Sequence, residues 1–507
     1  MSNDYFKQTV APRRESRLKA GIAYGGNVCQ FAGSFGCDGK RKDGFRPCME
    51  RNERGFSQGS ICLLLPALGT IGTLPDTAVL LHGAVGCGSS MHAVACNVRS
   101  GANARWGKPG DASWMSTAMN EVDVITGGEA KLARAIEEID ATRHPSTIIV
   151  VSGCIPGITG DDVEAVIANV QERVKAKVLP VHCEGFKTKI WATAYDAYYH
   201  AFGRHLFEKP DDAPELTGEE RSMSVNLLNV SSMGRIDEAE LERLLKMFGL
   251  KVNIFPVFAK PQDIWKVTRA ALSISTCPTH DDYLLTHLQE KYNIPYVLRH
   301  MPIGIENTGV WLREIGKAVG KEHEVDIIIK HEERVLRKAL EPFLPFFKGK
   351  RIFLSAGEYR TLATANLLVE LGFEIAALRP FHHDEFAEVE YSKLVAHSKD
   401  FTLNIANCQP FEEANLLKKL KPDLFMGHLV GNSTASKLGI PTHTIYNIGL
   451  NYVGYKGVFE LARRLYRHLR NPNFHRTLSV HAKLPYFDSW YAEDAFKFIK
   501  TAPEQEE

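Results

Sequence analysis

A chain of 507 residues is long enough for about three domains of ordinary size. Its 61 lysines and arginines stand against 60 aspartates and glutamates, a formal charge of +1. The two signs are interspersed, so no nucleic-acid or acidic-membrane surface is marked.

The start, Met-Ser-Asn-Asp-Tyr-Phe-Lys, is polar, so no cleavable signal peptide is expected. The first 60 residues are basic, glycine-rich and weakly periodic, and read as an arm or lid. The most apolar stretch, Ile61 to His82, is broken by Pro66, Pro75 and Asp76, so it reads as buried strand and turn and not as a membrane span. From about residue 120, short β-branched runs alternate with amphipathic segments. Strands are expected at 146–152, 177–182, 224–230, 252–257, 273–276, 296–298, 351–354, 374–378, 423–426 and 442–446. Helices are expected at 161–174, 237–248, 281–292, 361–371 and 411–420. This alternation predicts an α/β chain of three doubly wound, parallel-sheet, Rossmann-like domains. Breaks fall in the Pro, Asp and Glu-rich stretch 208–219 and near 342–350. The expected units are 61–215, 216–345 and 346–470, followed by an irregular extension, 471–507.

Ten cysteines (29, 37, 48, 62, 87, 96, 154, 183, 277 and 408) are scattered through the chain. With no signal peptide expected, reduced thiols or metal ligands are favoured over disulfides, and the cytoplasm is the expected compartment. Three of them stand at strand-to-turn junctions among small residues: Cys62 in Ser-Gln-Gly-Ser-Ile-Cys, Cys87 in His-Gly-Ala-Val-Gly-Cys-Gly, and Cys154 in Gly-Cys-Ile-Pro-Gly-Ile-Thr-Gly-Asp-Asp. Glycine lets backbone approach a bulky group and frees N–H groups to bond sulfur, which suits an iron–sulfur cluster. The spacing matches neither a zinc finger nor the compact ferredoxin run, so ligands would come from separate loops. Three thiolates leave the shell incomplete, so a second subunit or a non-cysteine ligand is needed. Cys277, in Thr-Cys-Pro-Thr-His-Asp-Asp-Tyr, opens a helix whose N-terminus favours thiolate, and reads equally as ligand or buried cap. Cys96 and Cys408 read as small buried hydrophobes. His280 reads as a surface or capping residue. Cys29, Cys37 and Cys48 fit no zinc template and read as incidental thiols of the lid.

Taken together, His-Gly-Ala-Val-Gly-Cys-Gly (82–88), Cys-Ile-Pro-Gly-Ile-Thr-Gly-Asp-Asp (154–162), Val-His-Cys-Glu-Gly-Phe (181–186) and Cys-Pro-Thr-His-Asp-Asp-Tyr (277–283) resemble the nitrogenase component 1 superfamily, α-type (D) subunit. Gly-Ile-Pro-Thr-His-Thr-Ile-Tyr (439–446) and Gly-Tyr-Lys-Gly (454–457) resemble its C-terminal cofactor region. The resemblance implies that Cys62, Cys87 and Cys154 hold half of a P-type (8Fe-7S) cluster shared with a β-type (K) subunit in an α2β2 assembly. It implies that Cys277 ligates one end of a larger iron–sulfur–carbide cofactor (8Fe-9S-C-like) between the three domains. Electrons would come from a separate homodimeric ATPase carrying a four-iron (4Fe-4S) cluster. The chain has no P-loop of its own.

Departures from the family pattern narrow the expectation. Eight and twelve positions after Cys183, where nitrogenases keep a glutamine and a proton-donating histidine, stand Trp191 and Tyr195. The family's lysine for the cofactor's organic acid aligns near Val430, and its far-end histidine near Tyr446, with His443 and His428 as other candidates. A cofactor without molybdenum, vanadium or homocitrate is therefore implied. Trp191 and Tyr195 would shape a pocket for a small organic substrate, or simply pack in the core. Arg360 would face the negatively charged cofactor. His382 and His383 read as proton donors or as a solvated loop pair. Among relatives without homocitrate contacts, the nearest resemblance is to the methylthio-alkane reductases. Those enzymes cleave carbon–sulfur bonds of small thioethers to methanethiol and a hydrocarbon. A cofactor-assembly scaffold, an alternative nitrogenase α subunit and a tetrapyrrole reductase are the competing readings. Retention of Cys277 argues against the last.

Overall fold

The structure is a computed structural model that describes residues 5–18, 29–30, 52–54, 62–188, 190–211, 213–214, 217–228, 235–399, 401–406, 409–445, 453–484, 486–493 and 499–501. Cys37, Cys48, Cys408 and Tyr446 lie outside the described residues. Two compact units are present: residues 1–17 with 62–298, and residues 18–61 with 299–507.

The first unit holds two parallel sheets. The first sheet contains β1 (Thr77–His82), β2 (Ser113–Ser116), β3 (Thr147–Ser152) and β4 (Lys177–His182), in the order β2-β1-β3-β4. Every residue of β1 and β3 is buried. A strand covered on both faces must be apolar throughout, which is why Thr-Ile-Ile-Val-Val-Ser reads as a run and not as an alternation. Burying each of these aliphatic side chains contributes about 1.5–3 kcal/mol. The second sheet contains β5 (Ser224–Leu228), β6 (Lys251–Phe255), β7 (Leu272–Ile274) and β8 (Tyr296–Val297), in the order β8-β7-β5-β6.

The second unit is built on β9 (Arg351–Ala356), β10 (Glu374–Pro380), β11 (Thr402–Leu403), β12 (Leu424–Gly427) and β13 (Thr442–Thr444). These run parallel in the order β11-β10-β9-β12-β13, and Cys29–Gln30 adds an antiparallel edge on β11. In each sheet the strand order reverses once: between β1 and β3, between β5 and β7, and between β9 and β12. Crossovers diverge at such a point and leave a crevice beyond the strands' carboxyl ends.

Several expectations are corrected. The stretch read as strand and turn before His82 begins with a helix, α1 (Leu64–Ile71), so the strand–helix alternation starts well before residue 120. The extension after Asn471 contains helices Asn473–His481 and Asp488–Ala492. Helices Gly88–Trp106, Ile305–Val319 and Glu322–Leu340 were not anticipated. Among the described residues no helix is long and apolar enough to cross a membrane.

Candidate functional site

All four cysteines that the motifs single out stand at helix starts. Cys87 is the N-cap of α2 (Gly88–Trp106), Cys154 is the first residue of α3 (Cys154–Thr159), and Cys62 precedes α1. Cys277 is the N-cap of α5 (Pro278–Tyr292). A helix start leaves backbone N–H groups unpaired, and such groups can bond the sulfurs of a bound cluster.

Cys87 follows β1 and Cys154 follows β3, so the two flank the strand-order reversal of the first sheet. Gly185, beyond β4, closes the cradle. A Cβ there would lie 3.0 Å from Cys62 Sγ and 3.6 Å from Cys154 Sγ, so any side chain would press on the Cys62 thiol and touch that of Cys154. Burial pushes the Cys62 thiol up; an amide bond from Leu64 opposes this, and Cys154 and Cys87 reinforce it. Burial and Cys154 likewise push Cys87 up. The Cys154 thiol thus acts on both Cys62 and Cys87, and a cationic cluster would reverse that repulsion. Among the described residues no three His, Cys, Asp or Glu converge tightly enough to hold a single metal ion. The wider triad of Cys62, Cys87 and Cys154 suits separate irons of a cluster instead. All three thiols are partly exposed, and the neighbouring apolar residues Val85, Ile158 and Phe186 are 65%, 68% and 55% exposed.

A buried hydrogen-bond array joins the Cys87 and Cys154 loops. His82 is wholly buried, and burial, opposed by Asp161, lowers its pKa, so the ring is neutral. Its Nε2 donates to Asp161 Oδ2 (3.0 Å), while Nδ1 accepts from Thr117 Oγ1 (3.1 Å). Asp161 also accepts from Gly128 N (3.0 Å) and Thr159 Oγ1 (2.8 Å).

Behind the triad, His182 lies between Glu164 (3.5 Å) and Glu184 (3.4 Å), and Ser152 Oγ is 3.3 Å away. Arg204 bonds Glu164 and Lys187 approaches Glu184. Burial opposes the imidazolium, but the two glutamates outweigh it and raise His182 from 6.5 to about 9. A raised folded-state value stabilises fully below 6.5 and is lost as pH rises through 9. Unfolding by urea is therefore expected to need about 3 kcal/mol less at pH 9.5 than at pH 6, and His182→Gln should flatten that dependence.

The residues predicted to line a substrate pocket meet in the first unit. Trp191 and Tyr195 are half-buried; Tyr195 is on α4 (Thr193–His205) and Trp191 lies just before it. The Tyr195 ring stacks on His280 at 3.7 Å and 13°, with the Trp191 ring 5.9 Å from Tyr195 and 6.3 Å from His280. His280 is half-buried, because the aromatic pair reaches it across the helix interface. It sits on the first turn of α5, directly after Cys277, which is 3% exposed. Cys277 N donates to Ser275 Oγ (3.0 Å), Ser275 donates to Asp281 Oδ2 (2.7 Å), and Tyr199 donates to Asp281 Oδ1 (3.1 Å). That network fixes the thiol's backbone.

In the second unit, Arg360 follows β9 and His428 follows β12, again at a strand-order reversal. Arg360 is 9% exposed and its Nη1 reaches Ile445 O at 3.5 Å. His428 packs 5.3 Å from Phe381, and burial together with Arg360 lowers it to about 4, so it is neutral. His443, in β13, is buried and 3.4 Å from His468 Nε2; burial, then His468 and Arg464, lower it to about 3. His382 and His383 are buried, not a solvated pair, because β10 ends inside the unit. His383 Nδ1 bonds Glu358 Oε1 (2.8 Å), which also accepts from Tyr391 (3.0 Å). Among the described residues neither ring nitrogen of His382 has a hydrogen-bond partner; Asp384 Oδ2 is 3.6 Å from Nε2. Cys96 is exposed on α2, whose face there meets solvent, and Cys183 is fully buried in the core.

A family model for nitrogenase component 1 type oxidoreductases matches residues 62–470. The chain belongs to that family. Among the family's proteins, the nitrogenase iron-molybdenum cofactor biosynthesis protein NifE of Methanococcus maripaludis is 25% identical, over 86% of this chain and 88% of its own. The nitrogenase molybdenum-iron protein alpha chain of Methanosarcina barkeri is 25% identical, over 80% and 84%. A solved structure, nitrogenase Cp1 at pH 5, superposes with a TM-score of 0.69 at 22% identity, covering 85% of this chain and 92% of its own, so the fold is that of the nitrogenase molybdenum-iron protein.

Proposed function

We propose that this chain is the α-type subunit of a nitrogenase-like reductase that cleaves carbon–sulfur bonds of small methylthio-alkanes. The observation that carries this reading is the Trp191, Tyr195 and His280 array beside Cys277. It is an apolar wall with a hydroxyl and an imidazole set into it. A small thioether needs that combination: rings to exclude water and pack the alkyl group, and donors to protonate the leaving carbon and sulfur.

In this reading Cys62, Cys87 and Cys154 hold a P-type cluster completed by a β-type subunit. The apolar rim of Val85, Ile158 and Phe186 fits that partner. Cys277 holds one end of the larger cofactor. His443 or His428, both neutral with a ring nitrogen able to bind metal, suits the other end, and Tyr446 is the remaining candidate. Arg360 adds a positive charge facing an electron-rich group. The bound cofactor supplies low-potential electrons, delivered by the separate ATPase. Two electrons and two protons convert a thioether to methanethiol and a hydrocarbon. In this reading Tyr195 Oη and His280 would supply the protons, with His382 a further candidate. Among the described residues no hydrogen bond satisfies buried His382, and leaving such a group unpaired costs about 1–3 kcal/mol, a cost a bound group would remove.

The likeness to NifE proteins favours a second reading, a scaffold that builds a cofactor and passes it on. One experiment separates the two. The complex with its β-type partner, purified without oxygen, is assayed for metals and then given ATPase, ATP and ethyl methyl sulfide. Iron for two large clusters, no molybdenum or vanadium, and released methanethiol are expected. No product, with the cofactor moving to an empty acceptor protein, would establish the scaffold instead.

A further inference from the structure

The N-terminal segment docks on α4 and α5, the two helices that carry Tyr195 and His280. Arg17 bridges them: Nη2 donates to Asp196 on α4 (2.8 Å) and Nη1 to Asp282 on α5 (2.7 Å). Arg14, wholly buried, donates to Asp282 Oδ1 (2.8 Å) and stands 3.8 Å from Asp196. Glu15 accepts from Thr188 Oγ1 (2.8 Å). Phe6 stacks on His287 at 3.6 Å and on Tyr283 at 5.0 Å, in a space that exists because position 203 is glycine: a Cβ there would lie 2.2 Å from the Phe6 ring.

Asp196 and Asp282 are both buried and face the same two guanidinium groups. Burial pushes the Asp196 carboxyl up, opposed by Arg17 and Arg14; burial also opposes the Arg17 charge, but Asp196 and Asp282 outweigh it. With the arginines gone, two carboxylates would share one buried interface, and the helices would have to part or the carboxylates take up protons. Asp196 is the residue after Tyr195, and Asp282 is two residues after His280. Cys277 is the N-cap of α5 and 3% exposed, so parting α4 from α5 opens the Tyr195–His280 stack and is expected to loosen the start of the helix on which the Cys277 thiol sits.

We propose that residues 5–17 form a strap, with Arg14 and Arg17 as positioning residues that hold α4 against α5, keeping the Tyr195–His280 stack and the Cys277 end of α5 closed. This rests on the reading above only for what Cys277 holds. The test uses the full-length chain stripped of clusters and treated with iodoacetamide, with alkylation at Cys277 and Cys183 followed by mass spectrometry. Cys183 is equally buried, in the core cluster that Phe6 also packs against but off α4 and α5, and so reports loosening of the unit beyond those two helices. Arg17→Met is expected to speed labelling of Cys277 about tenfold relative to Cys183, and Arg17→Lys, which cannot span both aspartates, by less. An unchanged Cys277-to-Cys183 ratio in Arg17→Met overturns the strap. Where Arg17→Met exposes both cysteines alike, Arg17→Lys decides: a rise selective for Cys277 supports the strap and none overturns it. A wild-type complex lacking cofactor iron defeats the ligand role of Cys277 and leaves this outcome readable.

Discussion

In a Cys277→Ala variant, isolated without oxygen together with its partner, the interface cluster is expected to remain and the larger cofactor to be lost. Iron should fall by roughly half, since each cluster carries about eight irons in the family pattern. Turnover should disappear. The chain itself should survive. The thiol is small, its backbone is pinned by Ser275 and Asp281, and α5 keeps its proline start, so the cost in stability is about 1 kcal/mol. Loss of metal with a nearly unchanged melting temperature is the signature of a ligand. Unchanged cofactor occupancy would remove Cys277 from the site and with it the aromatic wall's claim to be a substrate pocket.

The second large effect is expected at the triad. Cys87→Ala should abolish the interface cluster while sparing the cofactor, and should weaken association with the β-type partner. Cys87 is partly exposed, with Gly86 and Gly88 in open space beside it, so the substitution barely touches the fold. What it removes is a covalent tie that partner and chain would share. Iron content and the elution volume of the complex report the two effects separately. An intact cluster in this variant would break the three-cysteine assignment.

The strands were legible because parallel strands covered on both faces must be continuous apolar runs, as β1 and β3 are. The cysteine loops were legible for a related reason. Glycine and proline mark the ends of such strands, where an open sheet places its ligands. What the sequence hid was settled by distant partners. α2 carries polar and small residues around much of its circumference, so no amphipathic stripe announces it. His280 looked like a surface residue because its stacking partner, Tyr195, is 85 positions earlier. His382 and His383 looked solvated because two adjacent histidines before an aspartate resemble a polar turn; only the burial of β10's end shows otherwise. The arginines of the N-terminal segment looked like part of a basic arm, since nothing near them in the chain supplies a carboxylate pair to bury them with.

The bond from Arg14 to Asp282 spans 268 positions of sequence, and that separation orders events at the ribosome. At ~5–20 residues per second, the N-terminus waits roughly 15–50 s for its docking site to be made. During that interval the first sheet has all four of its strands, but α4 lacks α5, and Asp196 has no second carboxylate beside which two guanidinium groups could settle. The first half of the protein therefore cannot close behind the growing chain. It is completed only when the residues that follow Cys277 have emerged, so truncation upstream of α5 leaves an unlatched fragment.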